Sequence, residues 1–493
     1  MTILYSVYFI LSHIPYFLSV LFIVNMVIAC TIIFLERKNP SATLAWIMIL
    51  FLLPVVGILF YFLFSQNLSR KKIFKLTRFE EEVINTSLQT QITEMKNGEY
   101  VFTTEAAKRW KDMIRLNQVY GQAFYTEDNK ATIITDGNHM LEKLLEDIEN
   151  AQNTINIQYF IIKNDHIGRK LIEALTDKAK HGVEVRLLID AMGGRQFSKR
   201  TACIRALMEA GGRVAFFFPP KFKLINMKLN YRNHRKIVVI DGEIGYIGGF
   251  NIGKEYLGMK KKFGYWRDTH LRILGGCVQD INARFLMDWR FASKEELILS
   301  EAYYSEIIKE GSTGVQIVSC GPDEGKSQIK RGYMKMITSA RKNIYIQTPY
   351  FVPDNSVLES LKMAAQSGVD VKIMIPSMPD HMFVYWATYA YAGELINSGA
   401  SVFIYDRGFL HAKTMVVDGE VASIGTANFD VRSFKLNFEA NAFLFDEGEA
   451  YKMEAIFEND MADCHELTKS IYRSRGLVIK FKESIARLLT DIL

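Results

Sequence analysis

At 493 residues the chain can hold two or three domains with full cores, and its 49% hydrophobic fraction prompts a search for membrane segments. The five cysteines (Cys30, Cys203, Cys277, Cys320, Cys464) are scattered, odd in number and free of C-x-x-C pairs. They argue against a disulfide framework or a zinc site and suit a reduced compartment. The net charge of +6 is local in origin, which argues against the basic groove of a nuclease.

Residues 2–35 and 41–64 contain no Asp, Glu, Lys or Arg. A helix needs about 20 apolar residues to cross a hydrocarbon core, and residues 16–35 and 42–64 meet that length. Pro15 is expected to break the first stretch, while Pro54 and Gly57 are expected inside a continuous second span, where membrane helices tolerate them. A cleavable signal peptide fits poorly, because no basic region opens the chain and a second span follows at once. Arg37 and Lys38 stand in the tight turn, against Arg70, Lys71, Lys72, Lys75 and Arg78 after the second span. This positive-inside bias predicts a multi-pass protein of the cell membrane with its bulk in the cytoplasm. The basic run also suits an anionic membrane surface. Residues 1–66 are thus assigned to a transmembrane hairpin and 67–110 to a basic juxtamembrane linker.

Beyond residue 110 the chain reads as one α/β unit and its echo. The first half has Ile155–Phe160, a helical stretch with Leu171 and Ala174, then Gly182–Leu187; the second has Ile344–Phe351, a helix with Leu361 and Ala364, then Gly368–Ile373. Strand-like runs separated by helix-length segments signal βαβ units. The predicted fold class is α/β, with tandem domains over 111–300 and 301–493. The halves differ chiefly by an insertion around Lys221–Lys228, an amphipathic interfacial element or a plain loop.

Each half then carries H-x-K-x-x-x-x-D: His234, Lys236 and Asp241, and again His411, Lys413 and Asp418. Each copy ends in a small-residue turn with Asn at the same offset, Gly248-Gly249-Phe250-Asn251 and Gly425-Thr426-Ala427-Asn428. Residues two apart on a strand share a face, so each His is expected beside its Lys. Two such sets at one pocket can do two-step chemistry on a phosphate, one imidazole attacking while the other handles the proton. Two Lys and two Asn would stabilise the charge of the transition state. The scheme calls on no cofactor and no metal, and neither H-E-x-x-H nor a phosphate-binding glycine loop occurs.

The paired motif resembles the phospholipase D superfamily over roughly residues 120–470. Asn39–Trp46, Trp266-Arg267-Asp268-Thr269-His270 and Thr348–Pro353 are similar to the bacterial cardiolipin synthases within it. Gly249 stands where that family often has Ser, a variation expected to be tolerated. The resemblance implies two half-domains sharing one active site, and a reaction in which two phosphatidylglycerol molecules give cardiolipin and glycerol. It implies a phosphohistidine on one of the two imidazoles, with His234 favoured, and His411 as acid and base. Lys236, Lys413, Asn251 and Asn428 map to phosphate-binding positions, and Asp241 and Asp418 to the strand-turn geometry. Glu439 matches a His-orienting carboxylate, with Asp268 as its counterpart or an ordinary partner of Arg267. Phosphatidylglycerol and cardiolipin are the implied partners, with no nucleic acid. A phospholipase D hydrolase, a phosphatidylserine synthase or a non-catalytic lipid-binding scaffold remain the rival readings.

Two further stretches stand out. Met382–Tyr391 is aromatic-rich at helical spacing, suiting a core helix or an acyl-chain contact. Val478, Phe481, Ile485, Leu488 and Ile492 form one apolar stripe on a C-terminal helix, facing the protein core or the bilayer.

Overall fold

The computed structural model describes residues 2–31, 33, 40–64, 73, 74, 76–219, 230–295 and 309–490. The basic residues 70–72 and 75, the turn 36–39, the insertion 221–229 and Ile492 lie outside them. The chain separates into two units, Met1–Leu68 with Pro220–Asn230 and Arg487–Leu493, and Ser69–Pro219 with Tyr231–Ala486.

The N-terminal segment forms α1 (Thr2–Thr31), α2 (Pro40–Leu52) and α3 (Pro54–Phe64). Two sequence expectations fail here. Pro15 does not end the first helix but sits inside α1, where the Ser19 hydroxyl donates to its carbonyl at 2.8 Å. The second span is not continuous: it breaks at Leu53, because Pro54 lacks an amide and its ring crowds the preceding turn. The described side chains run against the soluble pattern. Tyr16, Phe17, Val20, Leu44, Met48, Leu52 and Val55 point outward, while Asn25 is buried and donates to Leu50 O at 3.0 Å. Trp46 and Tyr61 meet edge to face beside Leu50. Among the described residues no helix is long and apolar enough to cross a membrane.

The segment expected as a linker is structured from residue 78 on. In α4 (Arg78–Asn97) Thr77 and Glu80 form a reciprocal capping box, and Gly98 ends the helix in the left-handed region at φ 75°. Glu80 also pairs with Arg290 at 2.6 Å, which ties α4 to the body. The helices Glu105–Arg109 and Lys111–Gly121 follow, and Trp110, Met113 and Ile114 are buried in the core of the second half, not the first.

The first half contains β1 (Tyr125–Ile134), β2 (Thr154–Tyr159), β3 (Glu184–Asp190), β4 (Arg213–Phe217), β5 (Arg232–Asn233), β6 (Ile237–Ile240), β7 (Ile244–Gly248), β8 (Tyr265–Arg267) and β9 (His270–Leu274). The second contains β10 (Thr313–Cys320), β11 (Asn343–Gln347), β12 (Phe351–Val352), β13 (Asp370–Pro376), β14 (Ser401–Tyr405), β15 (Gly408–Leu410), β16 (Thr414–Val417), β17 (Val421–Gly425), β18 (Phe429–Asp430), β19 (Asn437–Phe445) and β20 (Cys464–Glu466). Antiparallel pairing of β1 with β10 joins the halves into one sheet. Outward from that join the orders are β1-β9-β7-β6-β2-β3-β4 and β10-β19-β17-β16-β11-β13-β14, with β20 added at the second edge. The repeat in the sequence is therefore a repeat in topology.

Strand alternation assigns the faces. In β2, Ile155, Ile157 and Tyr159 join the core under the helices Gly137–Asn150 and His166–Lys180. Asn156 and Gln158 point the other way, to Asn282 and Asp288 of the helix Cys277–Ser293. In β11, Ile344 and Ile346 enter the second core, while Tyr345 stacks on Phe457 and Gln347 donates to Asp460 of the helix Glu447–Met461. Each half is thus a sheet between two helical layers. Met382–Asn397 is a helix that buries Ala387, Thr388, Tyr391 and Leu395 in the second core, with Met382 exposed at its start.

Candidate active site at the seam

The two motifs do not lie wholly on strands. His234 and Lys236 occupy the link between β5 and β6, and His411 and Lys413 the link between β15 and β16. What holds each link is the opposite half. β5 pairs with β19, and His234 N donates to Phe438 O at 2.9 Å. β15 pairs with β8, and His411 N donates to Arg267 O at 2.7 Å.

The carboxylates are exchanged in the same way. His234 Nδ1 lies 2.9 Å from Glu439 Oε2, a second-half residue, and 3.1 Å from Thr426 O. His411 Nδ1 lies 2.5 Å from Asp268 Oδ2, a first-half residue. Neither half owns a complete imidazole–carboxylate pair. Asp268 is fully buried and faces His411, not a surface arginine. A proton held on Nδ1 by the carboxylate leaves the Nε2 lone pair free; at His411 the Lys413 ammonium also stands 2.7 Å from Nδ1.

Lys236 Nζ donates to His234 O at 2.7 Å; Lys413 Nζ donates to His411 O and stands 3.9 Å from Asp268. Both ammonium groups are buried, which pushes Lys236 down to about 7 and Lys413 down to about 8. Lys413 lowers Lys236 further, as a like charge does. Burial also lowers both imidazoles; His411, with Lys413 against it, falls to about 4. Burial alone would raise the carboxylates, but Lys413 and His411 bring Asp268 below its ordinary value, and His234 and Lys236 do so for Glu439. These couplings run across the seam, and each imidazole also feels the lysine of the other set, His234 feeling Lys413 and His411 feeling Lys236.

The remaining predicted residues fall into two groups. Asn251 Oδ1 accepts the Ile161 amide at 3.0 Å, and the Asn428 side chain hydrogen-bonds Asp430, so each side-chain amide already spends part of its hydrogen-bonding capacity. Asp241 and Asp418 are elsewhere, at the far ends of β6 and β16. Asp241 accepts the amides of Gln152, Asn153 and Thr154, and Asp418 those of Arg341, Lys342 and Asn343. Both adopt left-handed backbone, φ 53° and 57°, followed by glycine. They clamp the β6–β7 and β16–β17 turns to the starts of β2 and β11.

Gly249 is explained by Asp268. A Cβ at residue 249 would lie 1.9 Å from Asp268 Oδ1. The equivalent Thr426 has room for its side chain and donates to Glu439 Oε2 at 2.6 Å. One half therefore combines Asp with Gly, and the other Glu with Thr.

Sequence reasoning did not single out Thr426 or the two arginines that brace the site. Arg235 Nη1 donates to both oxygens of Asp288, at 2.8 and 2.7 Å, while its other nitrogens donate to Glu439 O and Cys320 O, both at 3.1 Å, across the seam. Arg267 makes a bidentate pair with Asp460 of the second half. Phe160 packs against His234 and Trp266 against His411, at 4.9 and 5.1 Å between ring centroids. The signal available was adjacency, since each lies beside or inside a motif already quoted.

Residues 144–289 and 333–461 match the family described as cardiolipin synthase, PLD-like domain, and 23–66 match the phospholipase D-nuclease N-terminal family. The cardiolipin synthase of Oceanobacillus iheyensis is 47% identical, over 97% of this chain and 98% of its own. The chain belongs to the cardiolipin synthase family with phospholipase D-like domains. The major cardiolipin synthase ClsA of Bacillus subtilis is 48% identical, with the same coverage of both chains. A solved phosphatidylserine synthase from Haemophilus influenzae is only 14% identical, but it covers 78% of this chain and all of its own at a TM-score of 0.58, a likeness of fold. The twin imidazole–carboxylate pairs of this cardiolipin synthase family member thus sit on a fold that its distant neighbour shares.

Proposed function

We propose that the protein transfers a phosphatidyl group from one phosphatidylglycerol to another, giving cardiolipin and glycerol, with the seam between the halves as its active site. The observation that carries this reading is the exchange of carboxylates, Glu439 to His234 and Asp268 to His411. It supports two activated imidazoles acting on one phosphodiester.

In the first step His234 Nε2 attacks phosphorus, and the bond to the headgroup glycerol breaks. His411 gives that departing oxygen a proton. The phosphodiester's negative charge, set against Lys413, raises the proton affinity of His411 for this task. In the second step the terminal hydroxyl of another phosphatidylglycerol attacks the phosphatidyl-histidine, His411 takes its proton, and His234 is released. Lys236 and Lys413, with Asn251 and Asn428, hold the non-bridging oxygens. Asp241 and Asp418 act on geometry only, through the turns they clamp.

The substrates are lipids, and the N-terminal segment is read as a transmembrane hairpin with the bulk of the chain on the cytoplasmic side. The outward apolar side chains of α1–α3 and the inward Asn25 support this, because a lipid-facing surface inverts the usual pattern. On this reading the two phospholipase D-like domains are residues 111–300 and 301–493.

The deciding experiment supplies purified protein with phosphatidylglycerol alone. Cardiolipin and glycerol are expected in equal amounts, and a phosphatidyl label is expected on His234 when His411 is replaced by Ala. Phosphatidic acid in place of cardiolipin would make the protein a hydrolase.

A further inference from the structure

The C-terminal helix Leu477–Leu489 is anchored by the wrong face for a core helix. Among its described side chains the buried ones are Glu483 and Ala486, with Ile479 half-buried. Glu483 pairs with Arg475 at 2.8 Å, and Ala486 joins the second-half core. The apolar stripe points away: Leu477 is 84%, Val478 68%, Phe481 68% and Leu488 70% exposed, with Ile485 among them. At about 100° per residue these five side chains fill an arc of about 100°, centred nearly opposite the anchoring face. The helix is therefore docked on the body with a large apolar surface turned outward, beyond what scattered surface leucines explain.

We infer that this outward stripe lies in the interface of an anionic lipid surface, as a second membrane contact on the catalytic body. The charge pattern selects that occupant. The only acid of the helix is Glu483, which is buried against Arg475, whereas Lys480 and Lys482 are exposed on either flank of the stripe. An apolar stripe with basic flanks and no exposed acid matches a helix lying in the headgroup region of an anionic bilayer. A contact between copies would set these positive flanks against each other. The inference stands apart from the catalytic reading, since it needs no turnover.

The test uses the full chain reconstituted in vesicles of phosphatidylcholine with three-tenths phosphatidylglycerol, carrying a photo-reactive benzoylphenylalanine at Phe481 or, as reference, at the exposed Tyr451 on the helix Glu447–Met461. Irradiation is expected to yield lipid adducts at 481 and few or none at 451, with His411→Ala giving the same pattern. In the Lys480→Gln/Lys482→Gln double variant the adduct yield at 481 is expected to fall severalfold, whereas an unchanged yield would overturn the anionic assignment. Adducts to a second protein copy at 481, or equal lipid labelling at 481 and 451, would overturn the membrane contact itself.

Discussion

At the scale of single residues the site depends on where protons sit. The Glu439 carboxylate orients His234 and stabilises its charged form, so Glu439→Gln leaves shape intact while removing that field. Cardiolipin formation is expected to fall about 10²–10⁴-fold in kcat, with little change in KM, when initial rates are compared. The lysines set a pH limit. Their ammonium form binds phosphate, and burial places its loss at about 7 for Lys236 and about 8 for Lys413. Activity should decline as pH rises through that range. Stability moves the other way: the unfolded chain holds those protons up to about 10.4, so between the folded and unfolded values their contribution to stability grows with pH. Lys236→Arg, whose guanidinium stays charged, should move the onset of this alkaline decline upward. Gly249 offers a steric check. Gly249→Ser would push against Asp268 Oδ1 and displace it from His411, so turnover should drop by at least tenfold while the melting temperature changes little.

At the scale of elements, the motif aspartates separate stability from chemistry. Asp241 receives three backbone amides in a left-handed turn. Asp241→Ala loses these charge-assisted bonds and adds strain at positive φ, a cost of about 2–4 kcal/mol. Thermal unfolding should show that loss, and any surviving folded protein should keep its pH profile. The hairpin and the C-terminal helix teach a related lesson. Periodicity shows that a helix has an apolar stripe, but it does not say which face meets the protein. Residues Val478, Phe481 and Ile485 are indistinguishable in sequence from a core stripe; the burial of Glu483 and of Ala486, which joins the second-half core, marks the opposite face as the anchor.

At the scale of the whole molecule the site is a property of the seam. Arg267 follows Trp266, precedes the catalytic-site Asp268 and reaches Asp460 in the other half. Arg267→Ala leaves Asp460 without its bidentate partner and unlatches the strand that holds His411, at a cost of about 3–5 kcal/mol. Melting temperature and turnover should fall together, unlike the Glu439→Gln variant, which loses turnover alone.

The sequence by itself determined the two α/β halves, the twin His–Lys sets and the chemistry they can perform. Those are carried by local spacing, since strand alternation and a repeated motif are written within a few residues. It did not determine that β5 pairs with β19 and β15 with β8, that Glu439 serves the first imidazole and Asp268 the second, or that Trp110 packs in the second core. The partners of these contacts are up to 205 residues apart in the two histidine pairs, and no local pattern encodes a meeting at that distance. The join of β1 to β10, together with the pairings of β5 to β19 and β15 to β8, brings the halves into register, and with it the carboxylates into reach of the opposite histidines.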